Sequence, residues 1–222
     1  PRVGAGAAGG AGLARGGARV GVGGRGKGGG VAARLLHEAG CRVVGFSDSK
    51  GGIYNGKGLD IPRVLRKVQE GARLGDLPDG DKITNAELLA LPVDILIPAA
   101  LEGAIHAGNA EAVRARLIVE GANGPTAAAA DRILEAKGIR VVPEILANAG
   151  GVTVSYFEWV QDLQFYFWRE EEINQRLKEI MVAAFRRVWD YAAEQRIAMR
   201  LAAMGLALRR VAEAHRIRGL YP

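Results

Sequence analysis

Residues 18–48 read ARVGVGGRGKGGGVAARLLHEAGCRVVGFSD, and this stretch decides the fold. Ala18–Gly24 is a short apolar run of strand character. Val31–Ala39 (VAARLLHEA) carries its apolar residues at helical spacing, and Cys41–Ser47 (CRVVGFS) is a β-branched run bounded by Gly40 and Asp48. Strand, helix and strand in this order make one unit of a parallel sheet. Gly24, Gly26 and Gly29 fall between the first strand and the helix in the pattern G-x-G-x-x-G. At such a junction the first glycine allows a tight turn, the second lets backbone approach a pyrophosphate, and the third permits close helix–strand packing. The anion then rests on the free N–H groups and positive dipole end of the helix. Asp48 follows Gly29 by 19 residues, close to the spacing at which a carboxylate accepts from ribose hydroxyls. An aspartate there repels a 2′-phosphate, which favours NAD as the cofactor. Lys50, two residues on, offers a charge to such a phosphate, so NADP stays open. Two plainer alternatives stand beside these readings: a glycine-rich segment matches the pattern by accident, and Asp48 serves as a strand-end turn residue.

Outward from this unit, Val93–Ala99 (VDILIPA), Leu117–Gly121 (LIVEG) and Ile139–Val142 (IRVV) read as further buried strands. A glycine-rich loop follows the second strand. Helices are predicted near Ile61–Glu70, with Pro62 suited to the first turn, and at Asn85–Leu91, Asn109–Arg114 and Ala127–Lys137. The alternation predicts an α/β fold, a Rossmann-like, doubly wound and mostly parallel sheet covered on both faces. After Pro143 the strands stop. Helices near Glu170–Gln195 and Met199–Arg216, with Gly205 a weak point in the second, form a helical C-terminal extension. The expected organisation is a Gly/Ala-rich linker or helix remnant over 1–17, a dinucleotide-binding domain over 18–150, and C-terminal helices over 151–222. The first 30 residues hold 14 of the 32 glycines, more than a phosphate loop requires.

Composition bounds the function. With 222 residues, 49% hydrophobic and 24% charged, the chain supports one large α/β domain or two small ones. No stretch approaches 18 consecutive apolar residues, and the start lacks the layout of a secretory signal, so neither a membrane span nor export is expected. The single cysteine, Cys41, excludes an internal disulfide framework and fits a reducing, cytoplasmic setting. Three scattered histidines, His37, His106 and His215, leave nothing from which to build a Cys/His metal site, so none is expected. The net charge of +6 is spread along the chain, much of it in the two C-terminal helices beside Glu and Asp. Such charge reads as solvated helix faces rather than a nucleic-acid surface, and it also suits a protein that attracts phosphates.

Four segments carry a family resemblance: Ser47–Asn55 (SDSKGGIYN), Ile97–Glu102 (IPAALE), Glu120–Thr126 (EGANGPT) and Ala147–Asp162 (ANAGGVTVSYFEWVQD). In this order and spacing they resemble the cofactor-binding domain of glutamate dehydrogenases, within the Glu/Leu/Phe/Val dehydrogenase family. The closing run Arg218–Pro222 (RGLYP) is similar too. The resemblance implies oxidative deamination of L-glutamate to 2-oxoglutarate and ammonia with NAD or NADP, the reverse amination, and a homo-hexamer. It implies cofactor contacts from Gly24, Gly26, Lys27, Gly29, Asp48 and Ser49. Ala99 and Ala100 then lie against the dinucleotide, Asn123 beside the nicotinamide ribose, and Asn148 beside the carboxamide. Ser155 is implied to hydrogen-bond a substrate carboxylate and Val152 to line the substrate pocket. The lysine and aspartate that act on the substrate belong, in the family, to a preceding domain. The chain by itself is therefore expected to bind cofactor without turnover.

Plainer readings remain for several of these residues. An Asn before Gly suits a turn, Ser155 suits a satisfied helix hydroxyl, and Asp94 and Glu144 sit near strand ends. The aromatic run Tyr156, Phe157, Trp159, Phe165, Tyr166, Phe167 and Trp168 reads as packing at a domain or subunit junction. The chain departs from the family pattern in the loop, where Arg25 replaces the usual aromatic or aliphatic residue and Lys27 the common Asn. Gly28 and Gly30 also fall where the helix starts. Two other functions stay open: a dehydrogenase for branched-chain or aromatic amino acids, against which the TVSYFEWVQD run speaks, and a non-catalytic regulatory homologue, which the altered loop favours.

Overall fold

A computed structural model of the chain describes residues 17–219, the Lys27 side chain excepted. The expected linker over 1–17 thus lies, except for Gly17, outside the described residues, as do the last three residues of the RGLYP run. The chain divides into two compact units, one ending at Asn148 and the other beginning at Ala149.

The first unit is built on a seven-stranded sheet in the order β4-β3-β2-β1-β5-β6-β7. Its strands are β1 (Arg19–Gly23), β2 (Arg42–Asp48), β3 (Gly51–Tyr54), β4 (Asp81–Ile83), β5 (Ile95–Pro98), β6 (Leu117–Val119) and β7 (Arg140–Val142). β2, β1, β5, β6 and β7 run parallel, whereas β3 pairs antiparallel with both β2 and β4. Helices α1 (Lys27–Glu38), α2 (Ile61–Gln69), α3 (Asn85–Leu89), α4 (Ala128–Ala136) and α5 (Glu144–Ala147) connect them. The central strands are apolar over their middle residues because both of their faces are covered there. Val20, Val22, Val43, Val44, Phe46, Ile95, Leu96, Leu117 and Ile118 are all buried.

Glycines on two strands let α3 come close. A Cβ at Gly45 would stand 2.7 Å from Leu91 and 2.9 Å from Leu88, and one at Gly23 would stand 3.3 Å from Leu88. A capping box starts α3, with Glu87 accepting from the Thr84 backbone and hydroxyl. These hydrogen bonds hold the Glu87 carboxyl below its ordinary range.

The second unit is helical: α6 (Gly150–Gln164), α7 (Glu170–Gln195) and α8 (Met199–Arg218). Met181, Phe185, Val188 and Ala192 form one buried stripe of α7 at helical spacing, and three glutamates open that helix at its positive dipole end. The turn between α6 and α7 is fixed by Gln161, which is buried and accepts from the Trp168 N–H at 2.6 Å. Trp168 in turn packs on Phe157 at 5.5 Å between ring centroids, with the Arg176 guanidinium 4.4 Å above its ring. α8 continues through Gly205 unbroken.

Two expectations are corrected. The glycine-rich loop after the second strand folds as β3, because Gly51 at φ 128° closes a two-residue hairpin and Gly52 packs against Ser47 where no side chain fits. The predicted helix over Asn109–Arg114 shrinks to a single 3₁₀ turn at Ala110–Ala112, held by Asn109, whose amide donates to the Ala104 carbonyl and accepts from the His106 N–H. The helix α1, by contrast, begins four residues earlier than periodicity implied, taking in Gly28, Gly29 and Gly30.

Those glycines are not equivalent. A Cβ at Gly29 would collide with the Gly24 carbonyl, while one at Gly28 meets nothing within 4 Å. Gly29→Ala should therefore destabilise the chain by about 1–3 kcal/mol in urea unfolding. Gly28→Ala should stabilise it by about 0.5 kcal/mol through lost chain entropy. Equal effects of the two substitutions would contradict this packing.

Candidate functional site

The strand order turns around between β1 and β5, since the chain proceeds from β1 outward to β2 and later returns to add β5 on the other side. At such a switch point the loops leaving the carboxyl ends of neighbouring strands part and leave a crevice. Every expected cofactor residue of the first unit lies along this edge. Gly24, Gly26, Lys27 and Gly29 follow β1; Asp48 ends β2, and Ser49 follows it. Ala99 and Ala100 follow β5, Asn123 follows β6, and Asn148 ends α5 after β7.

Backbone contacts tie these loops into one rim. Gly24 donates to the Ser47 carbonyl at 2.9 Å and Ala99 to the Gly23 carbonyl at 2.6 Å. Gly121 and Ala122 both donate to the Pro98 carbonyl at 3.0 and 3.1 Å, and Glu120 to the Val142 carbonyl at 3.1 Å. The first glycine is demanded twice, by its φ of 114° and because a Cβ would stand 2.7 Å from the Ala99 carbonyl oxygen. Gly26, which caps α1 at φ −55°, differs: a Cβ there meets no protein atom within 4 Å. The backbone of the loop is thus open at Gly26. Lys27 is the first residue of α1; its side chain lies outside the described residues.

At the β2 end, both oxygens of Asp48 are held. Oδ1 accepts the Lys50 N–H at 2.8 Å, and Oδ2 lies 3.2 Å from Nε of Arg25. Asn85, at the start of α3, donates its side-chain amide to the Asp48 carbonyl at 3.0 Å. Ser49 is exposed in the hairpin turn. At the other end of the rim, the Asn148 amide donates to Oδ1 of Asn123 at 2.7 Å and to the Ala122 carbonyl at 3.4 Å. The two asparagines thus form one unit, and among the described residues Oδ1 of Asn148 is left to accept and Nδ2 of Asn123 to donate.

Ser155 and Val152, expected to meet substrate, lie in the second unit. Three positions apart on α6, they share an exposed face with Tyr156 and Trp159. Cys41 sits at the amino end of β2, opposite the rim, where burial pushes its thiol upward. Among the described residues no group of His, Cys, Asp and Glu is placed to hold a metal ion, and no helix is long and apolar enough to cross a membrane.

Two contributors escaped the sequence reading. Arg25 stood out only as a departure, whereas its guanidinium pairs with Asp48. Glu120 was quoted within EGANGPT without a role. It is fully buried, and its carboxylate accepts the Glu144 N–H at 2.8 Å, joining the end of β6 to the start of α5. A charged residue directly after the apolar run Leu117–Val119 was the available signal.

A doubly wound sheet with a glycine loop at its switch point defines a Rossmann-like domain. Residues 8–219 match the family described as Glutamate/Leucine/Phenylalanine/Valine dehydrogenase, and the chain belongs to that family. It is similar to the glutamate dehydrogenase of Thermotoga maritima, 54% identical over 206 residues that cover 92% of this chain and 50% of the relative. The NADP-specific glutamate dehydrogenase of Synechocystis is 51% identical over 209 residues, covering 90% of this chain and 49% of the relative. Other relatives are named as NAD-specific. Among solved structures, the hetero-hexameric glutamate dehydrogenase of Thermus thermophilus in its leucine-bound form matches with a TM-score of 0.92 at 37% identity, over 100% of this chain and 52% of that one. The chain spans about half the length of the curated relatives it matches.

Removing Glu120 tests the tie between β6 and α5. Glu120→Ala leaves the Glu144 amide without this acceptor and should lower stability by about 1–3 kcal/mol. Glu120→Gln keeps an acceptor oxygen and should lose less. An unchanged urea midpoint in the alanine variant would contradict the assigned role.

Proposed function

We propose that this chain is the cofactor-binding part of a glutamate dehydrogenase that oxidatively deaminates L-glutamate to 2-oxoglutarate and ammonia with NAD or NADP, and runs the reverse amination. The observation that carries the proposal is the continuous rim across five strand ends, with a bare glycine loop and an aspartate at one end and a paired Asn123–Asn148 unit at the other. A dinucleotide is an elongated ligand with a pyrophosphate, two riboses and a carboxamide, and the rim offers a partner of suitable chemistry for each in sequence.

In this reading Gly24, Gly26 and Gly29 bring the backbone and the α1 amino end to the pyrophosphate, with Lys27 adding charge. Asp48 and Ser49 face the adenosine ribose, and Ala99 and Ala100 allow close approach in the middle. Asn123 donates to the nicotinamide ribose, and Oδ1 of Asn148 accepts from the carboxamide, which fixes the face that the ring presents. When bound, the nicotinamide supplies hydride chemistry at the substrate α-carbon. The protein's part is to orient the reactants and keep water out. Ser155 is assigned to a substrate carboxylate and Val152 to the wall of its pocket. The lysine and aspartate that act on the substrate are assigned to the half of the relatives' length that this chain does not span. The C-terminal helices are assigned to packing against that substrate-binding half, which sets 151–222 apart from the dinucleotide-binding residues 18–150.

The exposed apolar residues Tyr156, Trp159, Leu163, Phe165, Tyr166 and Phe167, the last three 65–92% accessible, support burial of this surface in an assembly, read here as a homo-hexamer. The single cysteine supports a cytoplasmic setting.

Gly26→Val probes the reading, because a Cβ at Gly26 meets open space in the fold, whereas a bound pyrophosphate would occupy that space. The wild-type chain should enhance NADH fluorescence saturably. The variant should melt normally yet bind at least about tenfold more weakly, since a bulky side chain displaces the pyrophosphate. The full-length gene product should reduce NAD or NADP with L-glutamate in preference to leucine, valine or phenylalanine. A folded wild-type chain that binds neither dinucleotide would contradict the proposal and favour a non-catalytic, regulatory homologue.

A further inference from the structure

Arg25 occupies the position between the first two loop glycines, and its Nε lies 3.2 Å from Oδ2 of Asp48. The partners differ in setting, Arg25 having a side chain 46% exposed and Asp48 one 14% exposed. The aspartate is thus fixed by its surroundings, and the guanidinium reaches it from the loop. Two consequences follow from charge and donor count.

An aspartate at the end of β2 repels a 2′-phosphate by placing one negative charge beside another. Here that charge is compensated by Arg25, and Lys50 stands two residues on, with its own N–H on Oδ1 of the same carboxylate. The three side chains sum to one positive charge at the adenosine corner. The carboxylate retains lone pairs for ribose hydroxyls, since each oxygen accepts more than one hydrogen bond. A guanidinium has five N–H donors. With Nε at ion-pair distance from Asp48, the terminal nitrogens present four N–H donors in a planar fork that matches a phosphate.

We propose that Arg25 is a specificity-determining residue that makes this site accept both NAD and NADP, screening Asp48 in the first case and holding the 2′-phosphate in the second. The inference rests on the cofactor site proposed above. It assigns the 2′-phosphate to a residue of the glycine loop, whereas sequence position pointed to Lys50.

The test is the ratio of NADH to NADPH dissociation constants, measured by nicotinamide fluorescence for the wild-type chain, Arg25→Ala and Lys50→Ala at two salt concentrations. Thermal melting establishes that each variant folds. The wild-type ratio should lie within tenfold of unity, and NADPH binding should weaken more steeply with salt than NADH binding, because it carries the additional phosphate contact. Arg25→Ala should shift the ratio at least tenfold toward NADH and remove the excess salt dependence. Lys50→Ala should shift it less. A wild-type ratio beyond tenfold, a smaller shift in Arg25→Ala, or a larger shift in Lys50→Ala would overturn the assignment. Equal weakening of both cofactors in a folded Arg25→Ala would also overturn it, reducing Arg25 to a prop for the loop. Failure of the wild-type chain to bind either cofactor is a separate outcome that removes the site itself.

Discussion

The close approach of three backbone segments around Gly24 governs the rest of the site. The turn leaving β1, the first turn of α1 and the segment leaving β5 meet there with no space for a side chain at Gly24 or Gly29. Backbone groups have fixed geometry and cannot retreat by changing rotamer, so this contact sets where α1 points and how far its amino end stands from the switch point. The hydrogen bond from Ala99 to the Gly23 carbonyl then places Ala99, and the Pro98 carbonyl gathers Gly121 and Ala122. Position passes along the rim from strand end to strand end through main-chain contacts, which are stiffer than side-chain contacts of equal length. Loops are commonly mobile; these are held by a rigid scaffold at both ends.

The two extremities of the rim are finished by side chains rather than backbone. At one end an ion pair and an amide hold Asp48. At the other, a buried carboxylate at Glu120 links β6 to α5, and the pair Asn123–Asn148 closes the gap between the loops. Burying Glu120 is costly unless its lone pairs are used, and its carboxylate accepts from the main-chain N–H of Glu144.

Much of this was legible in the sequence. The five parallel strands carry near-continuous β-branched or apolar runs because both faces are buried, and such runs announce themselves. The long helix α7 was placed near Glu170–Gln195, the bounds it has in the structure. β3 escaped because Gly51 and Gly52 lower strand propensity; their absence of side chains is what the hairpin requires, and only the neighbouring strand reveals it. β4 escaped because Asp81 and Lys82 are an exposed edge, with no apolar pattern to read. For the site, spacing brought Gly24, Gly26, Gly29 and Asp48 into view together. The contact of Arg25 with Asp48 was hidden, because a departure from a family pattern shows which residue has changed without showing which residue it meets.

One elongated ligand is proposed to lie along this rim. Hydrogen exchange of the chain with and without saturating NADH tests it most directly. Protection should appear together at residues 24–29, 48–50, 99–100, 121–123 and 148. Protection confined to the amino-terminal edge of the sheet or to α7 and α8, or none at all despite binding, would contradict it.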